Sequence, residues 1–197
     1  KDGGDYRDPF AGLGIAADGV RDVPDMFTAK AFIFTDLDDN QITAFHPGAM
    51  GQSHLNAVGD ARDIGIGIVA PDGREGMLAH AAQFAAAKIP FIFDPGQAMT
   101  LFNGDELLQM IDAASVVTVN DYEGRLLAER TGVALESLAG RVDALIVTMG
   151  AEGSVVHADG GTIRIGAARA AALVDPTGCG DAYRAGLLYG IANGLDG

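Results

Sequence analysis

Residues 175–186 read DPTGCGDAYRAG, from Asp175 to Gly186, and this stretch decides the fold. A short apolar run ends at Asp175, glycines follow, and helix-forming residues continue from Asp181 to about Asn193. A strand, then glycines, then a helix makes an anion site. The N–H groups of a helix's first turn have no partner inside the helix, and the helix dipole favours negative charge there. Gly178 and Gly180 let a phosphate approach the backbone closely, and with Cys179 they can turn successive N–H groups to one concave side. A carboxylate at Asp181, inside that same positive terminus, is placed to take a proton from a hydroxyl attacking a bound phosphate. In a bare Gly-x-Gly-Asp, such a carboxylate is better explained by satisfying the helix's first turn. The complete segment favours the chemical reading.

Working outward, short apolar strands alternate with helices. Strands are predicted over 64–70, 90–93, 116–119 and 144–149, with a final one over 173–175. Helices are predicted over 76–88, 104–114, 121–130, 135–142 and 181–193. A hairpin at 154–158 and 161–165 turns at Asp159-Gly160. Two further strand-like segments, KAFIFTD (30–36) and QITAFH (41–46), are joined by Leu37-Asp38-Asp39-Asn40, a solvated turn. Strands that are apolar throughout and separated by helices imply an α/β fold, a mainly parallel sheet with helices on both faces. Ligands of such folds bind beyond the carboxyl ends of the strands. The polar clusters fall there: Asp94, Asn120 with Glu123, Thr148 with Gly150, and the glycine loop.

The 197 residues suit one domain. Net charge is −14, from 13 basic and 27 acidic residues, which disfavours a nucleic-acid partner because no excess of cations is available to replace counterions. No apolar-plus-glycine run, that at 64–70 included, is long enough to span a bilayer, and no basic leader is expected at the start of the chain. A lone cysteine, Cys179, fits a reducing compartment. The expected setting is the cytoplasm, with no membrane partner.

Other phosphate-binding designs fail on detail. A dinucleotide fingerprint needs a glycine where Tyr183 stands, and no Gly-Lys pair exists for a P-loop. The His-Arg-Asp and Asp-Phe-Gly signatures of protein kinases are absent. The segment DPTGCGDAYRAG does resemble the C-terminal signature of the ribokinase-like (PfkB) family of carbohydrate and nucleoside kinases. That pattern is Asp-Thr-x-Gly-Ala-Gly-Asp before a helix rich in small residues; Pro176 and Cys179 replace the usual Thr and Ala. Asn120-Asp121-Tyr122-Glu123 is similar to the family's Asn-x-x-Glu, and 147–153 (VTMGAEG) to its nucleotide-side strand end. Phe93-Asp94-Pro95-Gly96, Pro47-Gly48-Ala49 and the Gly4-Asp5 and Gly19-Val20 segments follow the same order. QITAFHPGAM (41–50) and 174–190 look most like bacterial adenosine kinases.

The resemblance implies a single, partial ribokinase-like domain over 1–197 with lid strands around 28–47. It implies that the family's first strand, with a substrate-binding Asp and a Gly-Gly-x-x-x-Asn segment, and its C-terminal end are missing here. The expected reaction transfers the γ-phosphoryl of ATP to the 5′-hydroxyl of adenosine, a sugar acceptor or an inactive binding subunit being the alternatives. Asp181 is then the catalytic base, and Gly178, Cys179 and Gly180 form the anion hole. Asn120, Thr148, Gly150 and Gly153 bind ATP, and Glu123 serves Mg2+ directly or through water; some relatives also use a monovalent cation. Phe32, Phe34 and Phe45 are candidates for the acceptor side, and the lid for a homodimer contact. Arg184 is expected either to reach a phosphate or to form a surface ion pair. Cys179 is expected to be a small buried filler, and Leu187, Leu188 and Ile191 core.

Overall fold

The computed structural model describes residues 9–37, 41–172 and 177–195. The turn residues 38–40, the Gly4-Asp5 segment, and the strand expected over 173–175 with Asp175-Pro176 lie outside the described residues. The chain divides into two compact units, one drawn from Lys1–Arg62 and Asp72–His80, the other from Asp63–Pro71 and Ala81–Gly197.

In the first unit, β1 (Lys30–Thr35) and β2 (Gln41–His46) form an antiparallel ladder. Its register sets Phe32 opposite Ala44, Phe34 opposite Ile42 and Phe45 opposite Ala31. Directly opposed residues share a face and neighbours along a strand alternate. Phe32 and Phe34 therefore share one face and Phe45 lies on the other, so the three cannot make one wall. All three are exposed.

The second unit is a six-stranded sheet in the order β3 (Gly67–Val69), β4 (Phe91–Phe93), β5 (Val116–Asn120), β6 (Ala144–Thr148), β7 (Ser154–Ala158), β8 (Gly161–Ile165). The first four are parallel; β7 and β8 return antiparallel as the expected hairpin. The strand expected over 64–70 shrinks to three residues. Its partner β4 lies between Pro90 and Pro95, and proline cannot extend a ladder. Helix α1 (Arg74–Ala87) belongs to both units; α2 (Gly104–Ala113), α3 (Asp121–Thr131), α4 (Leu135–Ala139) and α5 (Cys179–Ala192) belong to the second. The α4 helix ends at Ala139, three residues before its expected end, with Gly140 as its C-cap. The α5 helix starts two residues early because Gly178, at φ +80°, is its cap, with the Ala182 N–H bonded to the Gly178 carbonyl at 2.9 Å.

Alternation divides the sheet's side chains between two covered faces. Ile92, Val116 and Ile146 form a cluster on one face, against which Tyr183, Leu187 and Leu188 of α5 pack. On the other face, Phe84 of α1 stacks on Phe91 with ring centroids 5.5 Å apart, and Gly124 of α3 approaches Val119. Two expectations about α5 are corrected here. Cys179 is exposed, because it opens the helix rather than facing the sheet. Ile191 is exposed as well, one turn beyond Leu188, where the cluster covering that face ends. Among the described residues no helix is long and apolar enough to cross a membrane.

Candidate active site

Asp94, Asn120 and Thr148 each stand at the carboxyl end of a parallel strand. Two-residue spacing from Ile92, Thr118 and Ile146 puts all three on the face covered by α5. The same α5 helix presents Asp181, Arg184, Ala185 and Leu188, the i, i+3, i+4, i+7 spacing of one helical face. Together these elements line an open cavity of about 580 Å3 whose polar wall is Asp94, Gln97, Asn120, Glu123, Asp181 and Arg184. Of the residues singled out from sequence, Asp181, Asn120 and Glu123 come together here. Gly178, Cys179 and Gly180 form the start of α5 just before Asp181. Thr148 pairs in register with Asn120, but its hydroxyl bonds the Val119 carbonyl at 3.4 Å and it does not line the cavity. Gly150 and Gly153, in the β6–β7 connection, do not line it either.

Asp94 and Arg184 form a pair that the sequence reading missed. Asp94 is 3% exposed. Arg184 donates from Nη2 to its Oδ1 at 3.0 Å, while Nε lies against Oδ2. The surface ion pair expected of Arg184 is thus corrected to a largely buried one. The available signal was a charged residue, Asp94, directly after three apolar strand residues, and a basic one a helical turn after Asp181. Burial pushes the Asp94 carboxyl above its ordinary value; the Arg184 hydrogen bond and charge pull it down, and the Glu123 and Asp181 charges add to the rise. These carboxylates are close enough to sense one another.

Asn120 caps α3 in a reciprocal box. The Glu123 N–H donates to Asn120 Oδ1 and the Asn120 N–H to Glu123 Oε2, both at 2.8 Å. Asn103 and Glu106 make the same box on α2, at 2.9 and 3.0 Å, away from the cavity. The second box is an internal control. Asn103→Ala and Asn120→Ala should each cost about 1 kcal/mol in urea denaturation, since each removes a cap. If Glu123 serves magnesium as the family resemblance implies, only Asn120→Ala and Glu123→Gln should raise the magnesium concentration needed for half-maximal turnover of the full-length protein. Equal magnesium titrations for all three variants would leave Glu123 a capping residue.

A mainly parallel sheet, covered on both faces, with a glycine-led helix start at the carboxyl ends of its strands, defines this as an α/β protein of the ribokinase-like fold. The sequence profile of the pfkB family carbohydrate kinases matches residues 1–197, and the chain belongs to that family. It is similar to a nucleoside kinase of Burkholderia thailandensis solved in complex with inosine. The two share 51% identity and a TM-score of 0.95 over 99% of this chain and 64% of that one. The same kinase in complex with ADP-inosine gives 51% identity and a TM-score of 0.91 over 96% of this chain and 60% of that one. A nucleoside kinase of Methanocaldococcus jannaschii is 35% identical over 170 residues, 86% of this chain and 55% of that protein. The chain therefore spans between about half and just under two thirds of these relatives.

Proposed function

We propose that the protein is a nucleoside kinase that transfers the γ-phosphoryl of ATP to the 5′-hydroxyl of a purine nucleoside, adenosine or inosine. The observation that carries this reading is the shared cavity of Asp181 at the start of α5 and the Asn120–Glu123 box. The acceptor oxygen bonds to the γ-phosphorus and its proton passes to the Asp181 carboxylate. The bond from that phosphorus to the bridging oxygen breaks, and ADP leaves with the electron pair. N–H groups of Gly178, Cys179 and Gly180 stabilise charge on the phosphoryl oxygens. The transition state is loose, so alignment and charge stabilisation supply most of the acceleration. Asn120 lies on the nucleotide side, with Thr148, Gly150 and Gly153 of the adjacent strand end.

Magnesium fits the donor set in a limited way. Among the described residues no group of three or more His, Cys, Asp or Glu side chains could hold a metal ion. The cavity nevertheless sets three carboxylates against one guanidinium. One Glu123 oxygen is taken by the Asn120 N–H, so Glu123 would hold the ion through its other oxygen or through water, as magnesium at nucleotide sites commonly is held. When bound, the ion would neutralise phosphate charge.

The similarity to an inosine-bound kinase supports a nucleoside over a free sugar. So does the apolar face shared by Phe32 and Phe34, which we assign to the acceptor side without Phe45. Exposed apolar residues on both faces of the β1–β2 ladder support pairing of the lid with a second copy, and ATP as the proposed donor would suit the cytoplasm. The test is competition among adenosine, inosine, ribose and fructose in the full-length protein. Nucleosides should show a kcat/KM well above either sugar. A better rate with ribose or fructose would keep the family and overturn the acceptor.

A further inference from the structure

Arg184 stands one helical turn beyond Asp181 on the cavity face of α5, and it is the sole cationic side chain among the described residues lining the cavity. Its three nitrogens are not equivalent. Nη2 donates to the buried Asp94 carboxylate, and Nε lies beside its other oxygen without a hydrogen bond of its own. Nη1 lies 2.7 Å from the point that a Cβ on residue 180 would occupy. The outer edge of the guanidinium therefore rests over the glycine backbone that opens the helix.

A buried ion pair adds little net stability, because desolvating both charges offsets most of their attraction. Apolar residues of equal volume would serve the fold as well. They could not present a rigid, fixed positive charge to an anion, which a guanidinium held along one edge does. We infer that Arg184 donates from Nη1 to a non-bridging oxygen of the transferring phosphoryl group, and that Asp94 is the positioning residue that holds it there. A side chain at position 180 would press on Nη1 in this arrangement. The inference rests on the kinase reading and adds a side-chain cation to its backbone anion hole.

Steady-state kinetics of Arg184→Met, Arg184→Lys and Asp94→Asn in the full-length protein provide one arm of the test. Calorimetric binding of ADP, with and without aluminium fluoride as a mimic of the transferring group, provides the other. Arg184→Met should lose about 10²-fold in kcat, the size of effect seen when one preorganised donor to a developing charge is removed. Its KM for the nucleoside should stay within a few fold. Its affinity for ADP with aluminium fluoride should fall by about as much as kcat, while ADP alone changes little. Arg184→Lys should recover only part of the loss, because an ammonium cannot hold both Asp94 and the phosphoryl. Asp94→Asn should lower kcat less, and should add nothing on top of Arg184→Met, since it acts through the same group. If Arg184→Met and Arg184→Lys melt earlier but keep kcat and fluoride-complex affinity, the pair is structural and the inference is wrong, with the kinase reading intact. If Arg184→Met does not fold, Arg184→Lys decides by the same two readouts. An unaltered protein that phosphorylates no nucleoside or sugar would overturn both readings together.

Discussion

In the full-length protein, Asp181→Asn should lower kcat by about 10²–10⁴-fold, the contribution typical of a positioned general base, while ATP affinity changes little. The substitution keeps the side chain's size and the first turn of α5, but an amide cannot accept the proton of the attacking hydroxyl. A helix-start carboxylate without a chemical role would behave differently. Its loss would cost roughly 0.3–1 kcal/mol of stability through the helix dipole and leave turnover unchanged. Single-turnover rates at saturating ATP, measured beside a thermal melt, separate the outcomes. Turnover within a few fold of the parent would remove Asp181 from the chemistry.

Gly153→Ala destabilises the protein by about 3 kcal/mol, in the range where backbone strain and overpacking combine. Gly153 sits at φ +90° and ψ −132°, a region essentially closed to other residues. An added Cβ would run into the Ile165 carbonyl oxygen and come within 2.7 Å of the Ala167 nitrogen. The nearby Gly150, at φ +56° with open space where its Cβ would be, should tolerate alanine at about 1 kcal/mol. Urea denaturation of both variants tests the contrast. Should Gly153→Ala retain its stability and lose ATP affinity, the glycine serves the nucleotide alone. The expected result makes it first a fold residue, which closes the β6–β7 turn through the Met149 N–H bonded to its carbonyl at 2.8 Å.

How legible the site was depended on the range of the interactions that build it. The Asn120–Glu123 box and the Gly178–Asp181 helix start are local, their partners within four residues, and sequence spacing exposes them. The parallel order of β3 to β6 was likewise legible, because strands buried on both faces leave continuous apolar runs. The Asp94–Arg184 pair joins residues 90 positions apart, and no local pattern reports such a contact. The face occupied by Phe45 was missed because it depends on cross-strand register, which the composition of either strand leaves open. The two boxes teach the converse lesson. Asn103–Glu106 and Asn120–Glu123 are the same local motif, and only the position of a strand end relative to the cavity distinguishes them.

The walls of the cavity differ in how firmly they are anchored. Asp94 follows a fully buried β4, and Asn120 ends a strand whose first four residues are buried. The α5 helix contributes Asp181 and Arg184, yet none of its residues is fully buried. Half of the site is therefore set into the core of the sheet and the other half is carried on a partly exposed helix, and the Asp94–Arg184 pair is the clasp that joins the two.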